Sequence, residues 1–245
     1  MGKVSGENRG KVQDMSWNGG EFRAGIRDTL PLMLGVFPFG LAYGIFGKSV
    51  GLTAEETILM SLTVFAGAAQ FISLPMFGAG AGFLMITLTT LLINLRHLLM
   101  GASLVPYIGK LPLPWKAFLC YGMADETYAV TISRAQTGAY HRDYQFGSNA
   151  TGYVTWAVST VMGVFLGSHI SDPLAWGLDF AMPATFLALL APRLTDRVSL
   201  TVGGVSAVVS VAAAVLVPGK WYIIIACLIA VALGAWLEGG ETDAA

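Results

Sequence analysis

Charge is what this sequence has least of. Only 12% of its 245 residues are Asp, Glu, Lys or Arg, about half of the roughly 25% that an ordinary soluble domain carries. That deficit excludes a soluble enzyme, because too little polar surface is left to face water. A net charge of -1 with no long basic run leaves no electrostatic footprint for DNA or RNA. Cysteine is equally scarce: Cys120 and Cys227 lie in apolar runs without any CxxC spacing, which argues against a disulfide framework or a zinc site and leaves both as small apolar residues. Residues 1–20 are rich in Gly, Asn, Lys and Ser and have no apolar core. They do not read as a cleaved signal peptide, and the expectation is a disordered cytoplasmic arm.

Long apolar runs fill the remainder. The chain is 55% hydrophobic with a mean hydropathy of +0.65. Phe22, Ile26 and Leu30 recur at helical spacing with Arg23 and Arg27 between them, a pattern suited to a short interfacial helix leading into the first span. Apolar windows follow at 29–47, 57–77, 80–106, 114–133, 148–168, 173–192, 199–217 and 219–237. At about 20 residues per span, the fold class expected is an all-α polytopic membrane protein of about eight transmembrane helices, some kinked or broken. The domain plan is a 1–20 arm, a single transport domain over 21–237 and a cytoplasmic tail over 238–245. The longest connector falls between Arg134 and Gly147, and the window at 80–106 is either one long span or a broken helix.

Basic residues orient this plan. With both termini cytoplasmic, nine Lys and Arg fall inside (Lys3, Arg9, Lys11, Arg23, Arg27, Arg134, Arg142, Arg193, Arg197) and four outside (Lys48, Lys110, Lys116, Lys220). This is the bias that the positive-inside rule favours.

A few polar groups interrupt the apolar windows: Gln70, Asn94, Arg96, His97, Asp125, Glu126 and Asp179. A charged side chain facing lipid at mid-depth costs about 2.5–3.5 kcal/mol. These groups should therefore face the protein interior, either as a structural pair such as Arg96 with Asp125 or as a substrate or proton pathway. On continuous helices Asn94 and His97 share a face, as do Tyr121 and Asp125. A zwitterion needs an acid for its ammonium and a donor for its carboxylate. Asp125, Glu126 and Asp179 suit the first role, and Arg96 or the N-terminus of a broken helix the second. His97 has the ordinary pKa closest to neutrality and is the candidate for proton coupling. Its bland alternative is a neutral histidine bonded to a backbone carbonyl.

Backbone-breaking residues lie nearby. Pro38 reads as a packing kink, whereas Pro183, one turn from Asp179, is the candidate for an unwound binding segment. Gly40 and Gly44, Gly78 and Gly82, and Gly163 and Gly167 have the spacing that permits close helix contact. Phe65-Ala-Gly-Ala-Ala-Gln-Phe71 and Phe180-Ala-Met-Pro-Ala-Thr-Phe186 share four of seven residues. A pair of parallel repeats of four helices each and a chance likeness are both open.

Those two segments, together with Asn94-Leu-Arg-His-Leu-Leu-Met-Gly101 and Met123-Ala-Asp-Glu-Thr-Tyr128, resemble the recurrent motifs of the AzlC family, which includes the YgaZ-type large subunit of the branched-chain amino acid exporter. The resemblance extends over about residues 20–237, with four motifs in the expected order. It implies a secondary exporter of valine, leucine, isoleucine and sometimes methionine in the bacterial cytoplasmic membrane. It also implies a small membrane partner of the AzlD or YgaH type, with higher oligomers left open. Carried over by motif, the site residues are Gln70, Asn94, Arg96, His97, Asp125, Glu126 and Asp179. No cofactor or metal is expected, and no enzymatic activity. The competing readings are a structural subunit whose partner holds the substrate site and an intramembrane enzyme using Ser61 or Ser103 with His97. Nothing resembling a nucleophile motif surrounds either serine.

Overall fold

The computed structural model describes residues 16–169, 187, 190, 191, 194–217 and 221–242. Among the described residues the chain is helical and contains no strand. The helices are α1 (Gly19–Ser49), α2 (Ala54–Val64), α3 (Gly67–Gly78), α4 (Phe83–Ile108), α5 (Leu113–Tyr121), α6 (Asp125–Gln136), α7 (Arg142–His169), α8 (Arg197–Leu216) and α9 (Trp221–Thr242). Four of these, α1, α4, α7 and α8, are long and apolar enough to cross a membrane, since 20 helical residues extend about 30 Å. In α9 the apolar stretch is shorter, Ile224–Leu237.

Several expectations change here. The windows at 57–77 and 114–133 are not single spans: each divides into two short helices, α2 with α3 and α5 with α6. Tyr121 and Asp125 therefore do not share a helix face, because one ends α5 and the other begins α6. The window at 80–106 is one helix, α4, despite Pro106 near its end. Helix α1 absorbs the expected interfacial helix and continues through Pro38 without a break. The long connector shrinks to 137–141 because α6 runs to Gln136 and α7 starts at Arg142. Helix α9 continues to Thr242, past the expected start of the tail at 238. Asp179, Pro183 and the 180–186 half of the candidate repeat lie outside the described residues.

Contacts divide the chain into two compact units, whose boundaries fall inside α1, α4 and α7. The first comprises the chain up to Leu34 together with Met100–Val154. Its apolar core gathers Met100, Leu104, Ile108, Leu111, Leu119 and Met123, with Trp115 and Phe146 packed against it. The start of α1 is fixed by Asn18, whose side-chain oxygen accepts the Gly20 and Glu21 N–H groups at 3.0 and 3.2 Å, the usual chemistry of a helix N-cap. Trp17, Phe22 and Phe146 pack beside it in tilted and edge-to-face contacts. Here α1 and α7 approach backbone to backbone: a Cβ on Gly25 would strike the Tyr144 carbonyl and one on Gly147 the Phe22 carbonyl.

Within this unit the first turn of α7 carries a polar network, inside the stretch from Arg134 to Gly147 expected to be the longest connector. Asp143 is 0% exposed. It accepts the Asn18 N–H at 2.8 Å and pairs with Arg142 at 3.1 Å. Arg142 in turn lies over the Trp115 ring. Arg134 pairs with Glu21 at 2.7 Å, and Tyr144 donates to Asp28 at 2.9 Å. In the connector, burial pushes the Tyr140 phenol well above its ordinary range, with Cys120 adding to the shift. Its hydroxyl remains a donor to Gln145 Oε1 at 2.8 Å.

The second unit comprises Gly35–Leu99 and the chain from Thr155 onward. Small residues again set its geometry: Gly40 lies against Ser159, Gly44 against the Thr160 carbonyl and Gly163 against the Leu41 carbonyl. Two of the three small-residue pairs noted in the sequence thus mark a close α1–α7 contact, as expected where packing rather than water drives helix association. Of the third pair, Gly78 packs on Val50, whereas Gly82 has nothing within 4 Å. Ser61 and Thr160 hydroxyls bond across this unit at 2.8 Å. Helices α8 and α9 pack on each other.

Candidate functional site

The second unit holds the first of two helix interruptions. Helix α2 begins with a Thr53–Glu56 capping box and ends at Phe65, which adopts left-handed geometry at φ 42° and ψ 47°. That conformation costs a residue with a Cβ about 1–2 kcal/mol, so the surrounding packing must hold it. The ring of Phe65 is buried, as is Ala66. Ala66 then acts as N-cap of α3 with φ −138° and no side-chain acceptor to offer, so the first-turn N–H groups of α3 receive no cap from it.

Gln70 reaches back to this break. Its Oε1 accepts the Ala66 N–H at 3.2 Å and the Trp156 Nε1–H at 3.1 Å. Two donors on one oxygen settle which end of the amide is which, and they point Nε2 elsewhere. Gln70 is 0% exposed, and Nε2 is enclosed without a hydrogen-bond partner among the described residues. Tyr43, Phe71 and Trp156 form an aromatic wall, with centroids 5.9–6.5 Å apart. Gly67 lets the Trp156 ring approach, since a Cβ there would come within 3.0 Å of it. The Tyr43 hydroxyl donates to the Thr57 carbonyl at 3.3 Å. Thr57 also lines a cavity of about 300 Å³ together with Lys48, Thr53, Val164 and Ser168.

The first unit holds the other interruption. Helix α5 ends at Tyr121, and α6 starts at Asp125 after an extended Ala124. Thr127 Oγ1 accepts the Ala124 N–H at 2.9 Å, so here too a first-turn side chain bonds the N–H of an N-cap alanine. The Asn149 amide donates to the Leu119 carbonyl at 2.8 Å, which serves the open end of α5. Gly122 admits it, as a Cβ there would lie 3.2 Å from the Asn149 Cβ. Asp125 and Glu126 occupy the first turn of α6, where the helix dipole favours negative charge.

Of the residues singled out in the sequence, Gln70, Asn94, Arg96 and His97 fall in the second unit, and Asp125 and Glu126 in the first. Asn94, Arg96 and His97 are half-buried in the interior of α4. Leu91, Leu95, Leu98 and Leu99 leave another side of that helix exposed and apolar. Sequence reasoning missed Trp156, Tyr43, Thr127 and Asn149. A signal existed for Trp156, because a tryptophan deep in an apolar window needs a partner for its N–H. None marked Asn149, whose value depends on a break that had been read as continuous helix.

Interrupted helices inside apolar segments, bounded by helix starts that lack a side-chain cap from the N-cap residue, define a helical membrane protein with discontinuous helices. The AzlC protein family model matches residues 31–170. The chain therefore belongs to the AzlC family. It is 27% identical to the inner membrane protein YgaZ of Escherichia coli over 74% of this chain and 76% of that protein. It is 29% identical to the branched-chain amino acid transport protein AzlC of Bacillus subtilis, over 69% of this chain and 66% of that protein. An uncharacterized membrane protein of Archaeoglobus fulgidus is 28% identical over 72% of this chain and 77% of its own length. No solved structure matches the chain.

Proposed function

We propose that this protein is a secondary transporter that exports branched-chain amino acids, chiefly valine, leucine and isoleucine, with methionine as a further substrate. The observation that carries the reading is the pair of interrupted helices, α2–α3 and α5–α6, set in a chain whose relative in Bacillus subtilis is named a branched-chain amino acid transport protein. Broken helices free backbone donors, and at membrane depth such breaks persist where they are buried in protein or line a cavity, the arrangement transporters use for substrate. A helix start without a side-chain cap suits a carboxylate. Asp125, Glu126 and Asp179 suit an ammonium group or a proton, Arg96 suits a carboxylate, and His97 is the group for proton coupling. Asn94 and Pro183 complete the proposed set. Transport needs no bond-making chemistry, so the reading includes no enzymatic step.

The protein in this reading is one domain over 21–237, sits in the bacterial inner membrane with both termini cytoplasmic, and works with a small partner of the AzlD or YgaH type. A bacterium lacking its own exporters of these amino acids tests it. Fed a leucine-containing dipeptide, such cells accumulate internal leucine. Expression of this chain with a small subunit encoded beside it should lower that pool, and Arg96→Ala should abolish the effect. An unchanged leucine pool would count against the reading.

A further inference from the structure

We infer that the cavity framed by the end of α1, the start of α2 and the end of α7 is a further solute-binding site, in which the Lys48 ammonium takes a carboxylate and the apolar wall takes a short branched side chain. The inference deepens the transport reading and rests on it for the ligand's identity, a branched-chain amino acid.

The cavity lies wholly within the second unit. Its volume, about 300 Å³, is at the lower end of the range for small-molecule sites. Gly44 and Thr57 are buried and mark its inner end, whereas Lys48, Thr53 and Ser168 are exposed and mark its mouth. Leu52, Ala54 and Val164 supply apolar wall. An apolar enclosure with a few placed polar groups is the usual form of a site for a small organic molecule.

Hydrogen-bond accounting decides which polar groups a ligand meets. Thr57 donates its hydroxyl proton to the Thr53 carbonyl at 2.9 Å, and Ser168 donates to the Phe165 carbonyl at 2.6 Å. Both protons are spent, so what these two oxygens retain is lone pairs. Lys48 has three N–H donors and commits one, to the Gly167 carbonyl across a long 3.4 Å. No acidic side chain lines the cavity, and Lys48 has no ion pair among the described residues. Glu56 binds the Thr53 N–H at 2.8 Å in the capping box, and Glu55 is exposed outside the lining. The cavity therefore presents one positive charge with unspent donors, hydroxyl lone pairs and an apolar wall.

That combination selects a monocarboxylate with a small aliphatic body. The carboxylate makes charge-assisted hydrogen bonds to Lys48, the side chain lies on Leu52 and Val164, and an α-ammonium finds the hydroxyl oxygens. An amine without a carboxylate meets like charge at Lys48 and only neutral acceptors. A phosphate finds one cation where it needs several donors. With the N-terminus cytoplasmic, as proposed above, α1 ends outside, which puts the site on the release side of an exporter. The competing role for Lys48 is to complement the dipole at the end of α1, where a cation is favoured. That role predicts no dependence on a ligand.

The test uses the full-length chain in phosphatidylcholine nanodiscs, with Ala54→Cys as a reporter in the cavity wall. Modification at position 54 by N-ethylmaleimide is quantified by peptide mass spectrometry relative to Cys227, with and without solute. Leucine and isovalerate, which keeps the carboxylate without the ammonium, should slow it several-fold. Isoamylamine, which keeps the ammonium alone, and inorganic phosphate should not. In Lys48→Met the concentration of either carboxylate that gives half protection should rise about tenfold or more, and Lys48→Arg should restore it. Should Lys48→Met fail to fold, the ranking of the four probes on the chain with Lys48 intact stands as a test by itself. Isoamylamine protecting as well as leucine, or undiminished protection in folded Lys48→Met, would overturn the inference. So would protection by phosphatidylglycerol nanodiscs without any solute, which would assign the cavity to a lipid headgroup. Absence of protection in a chain that exports leucine would remove this site and leave the transport reading standing. Protection by leucine and isovalerate in a chain that exports no leucine would do the reverse.

Discussion

Trp156 of α7 donates its indole N–H to Gln70 Oε1 of α3 across 3.1 Å, and the same oxygen takes the N–H of the alanine that opens α3. One amide thus holds a helix break and an aromatic wall in register. Trp156→Phe keeps the ring and deletes one of these bonds. Expected is a loss of about 1 kcal/mol in unfolding free energy, measured by equilibrium unfolding in mixed detergent.

The left-handed backbone at Phe65 sets two effects against each other. Phe65→Gly removes about 1–2 kcal/mol of backbone strain and leaves the space of a buried ring, which costs about 3–5 kcal/mol in well-packed cores. Packing should win, so the variant should unfold several degrees below wild type. A variant as stable as wild type would show that the ring contributes little to holding the break.

Close approach of α1 and α7 predicts a sharp contrast among glycines. Gly163 has the Leu41 carbonyl where a side chain would go, whereas Gly35 has nothing within 4 Å. Gly163→Leu should cost more than the roughly 1–3 kcal/mol of ordinary overpacking, because backbone must move, and should reduce the yield of monodisperse protein. Gly35→Leu should leave yield and midpoint near wild type.

The buried acid in the first turn of α7 should be among the most sensitive positions of the described residues. Asp143→Ala removes the acceptor of the Asn18 N–H and the carboxylate partner of Arg142, which keeps its contacts with the Ser16 carbonyl and the Trp115 ring. Breaking a buried pair by removing one partner costs about 3–5 kcal/mol. Asp143→Asn, which keeps an acceptor, should lose less. Thermal unfolding of the two variants side by side gives the ordering.

Tyr140 should give the protein an alkaline limit. Its phenol is raised by burial, so its contribution is complete below the ordinary tyrosine value of about 10 and fades as pH rises through the folded value. Tyr140→Phe should lower the midpoint at neutral pH by removing the donor to Gln145. The gap from wild type should narrow above about pH 10.

What could be read from the sequence followed from composition and spacing. Apolar windows found α1, α4, α7 and α8, because each is long and its hydropathy sums over many residues. The glycine pairs along α1 and α7 were equally legible, since small residues at a spacing of four permit backbone contact. The breaks were not. Phe65 and Ala66 carry no proline or glycine to announce a left-handed turn, and hydropathy is blind to an interruption that stays apolar. Gly122 hinted at the second break, yet one glycine in a chain with 30 of them carries little weight. The motif segments at 65–71 and 123–128 were recognised as family features, and the structure gives each a physical sense as the start of a helix after a break. The network around Asp143 was not legible because Arg134 and Arg142 entered the sequence reading only as connector charges that orient the chain, and spacing alone does not pair them with Glu21 and Asp143.

The central claim, that this chain moves branched-chain amino acids, is tested most directly by counterflow in proteoliposomes containing the chain and its small partner. Vesicles loaded with unlabelled leucine and diluted into a trace of labelled leucine should take up label transiently, to a peak several times that of empty vesicles, and unlabelled valine or isoleucine in the bath should suppress the peak. Label accumulation equal to that of protein-free vesicles, with correctly folded protein recovered from the same preparation, would contradict the account.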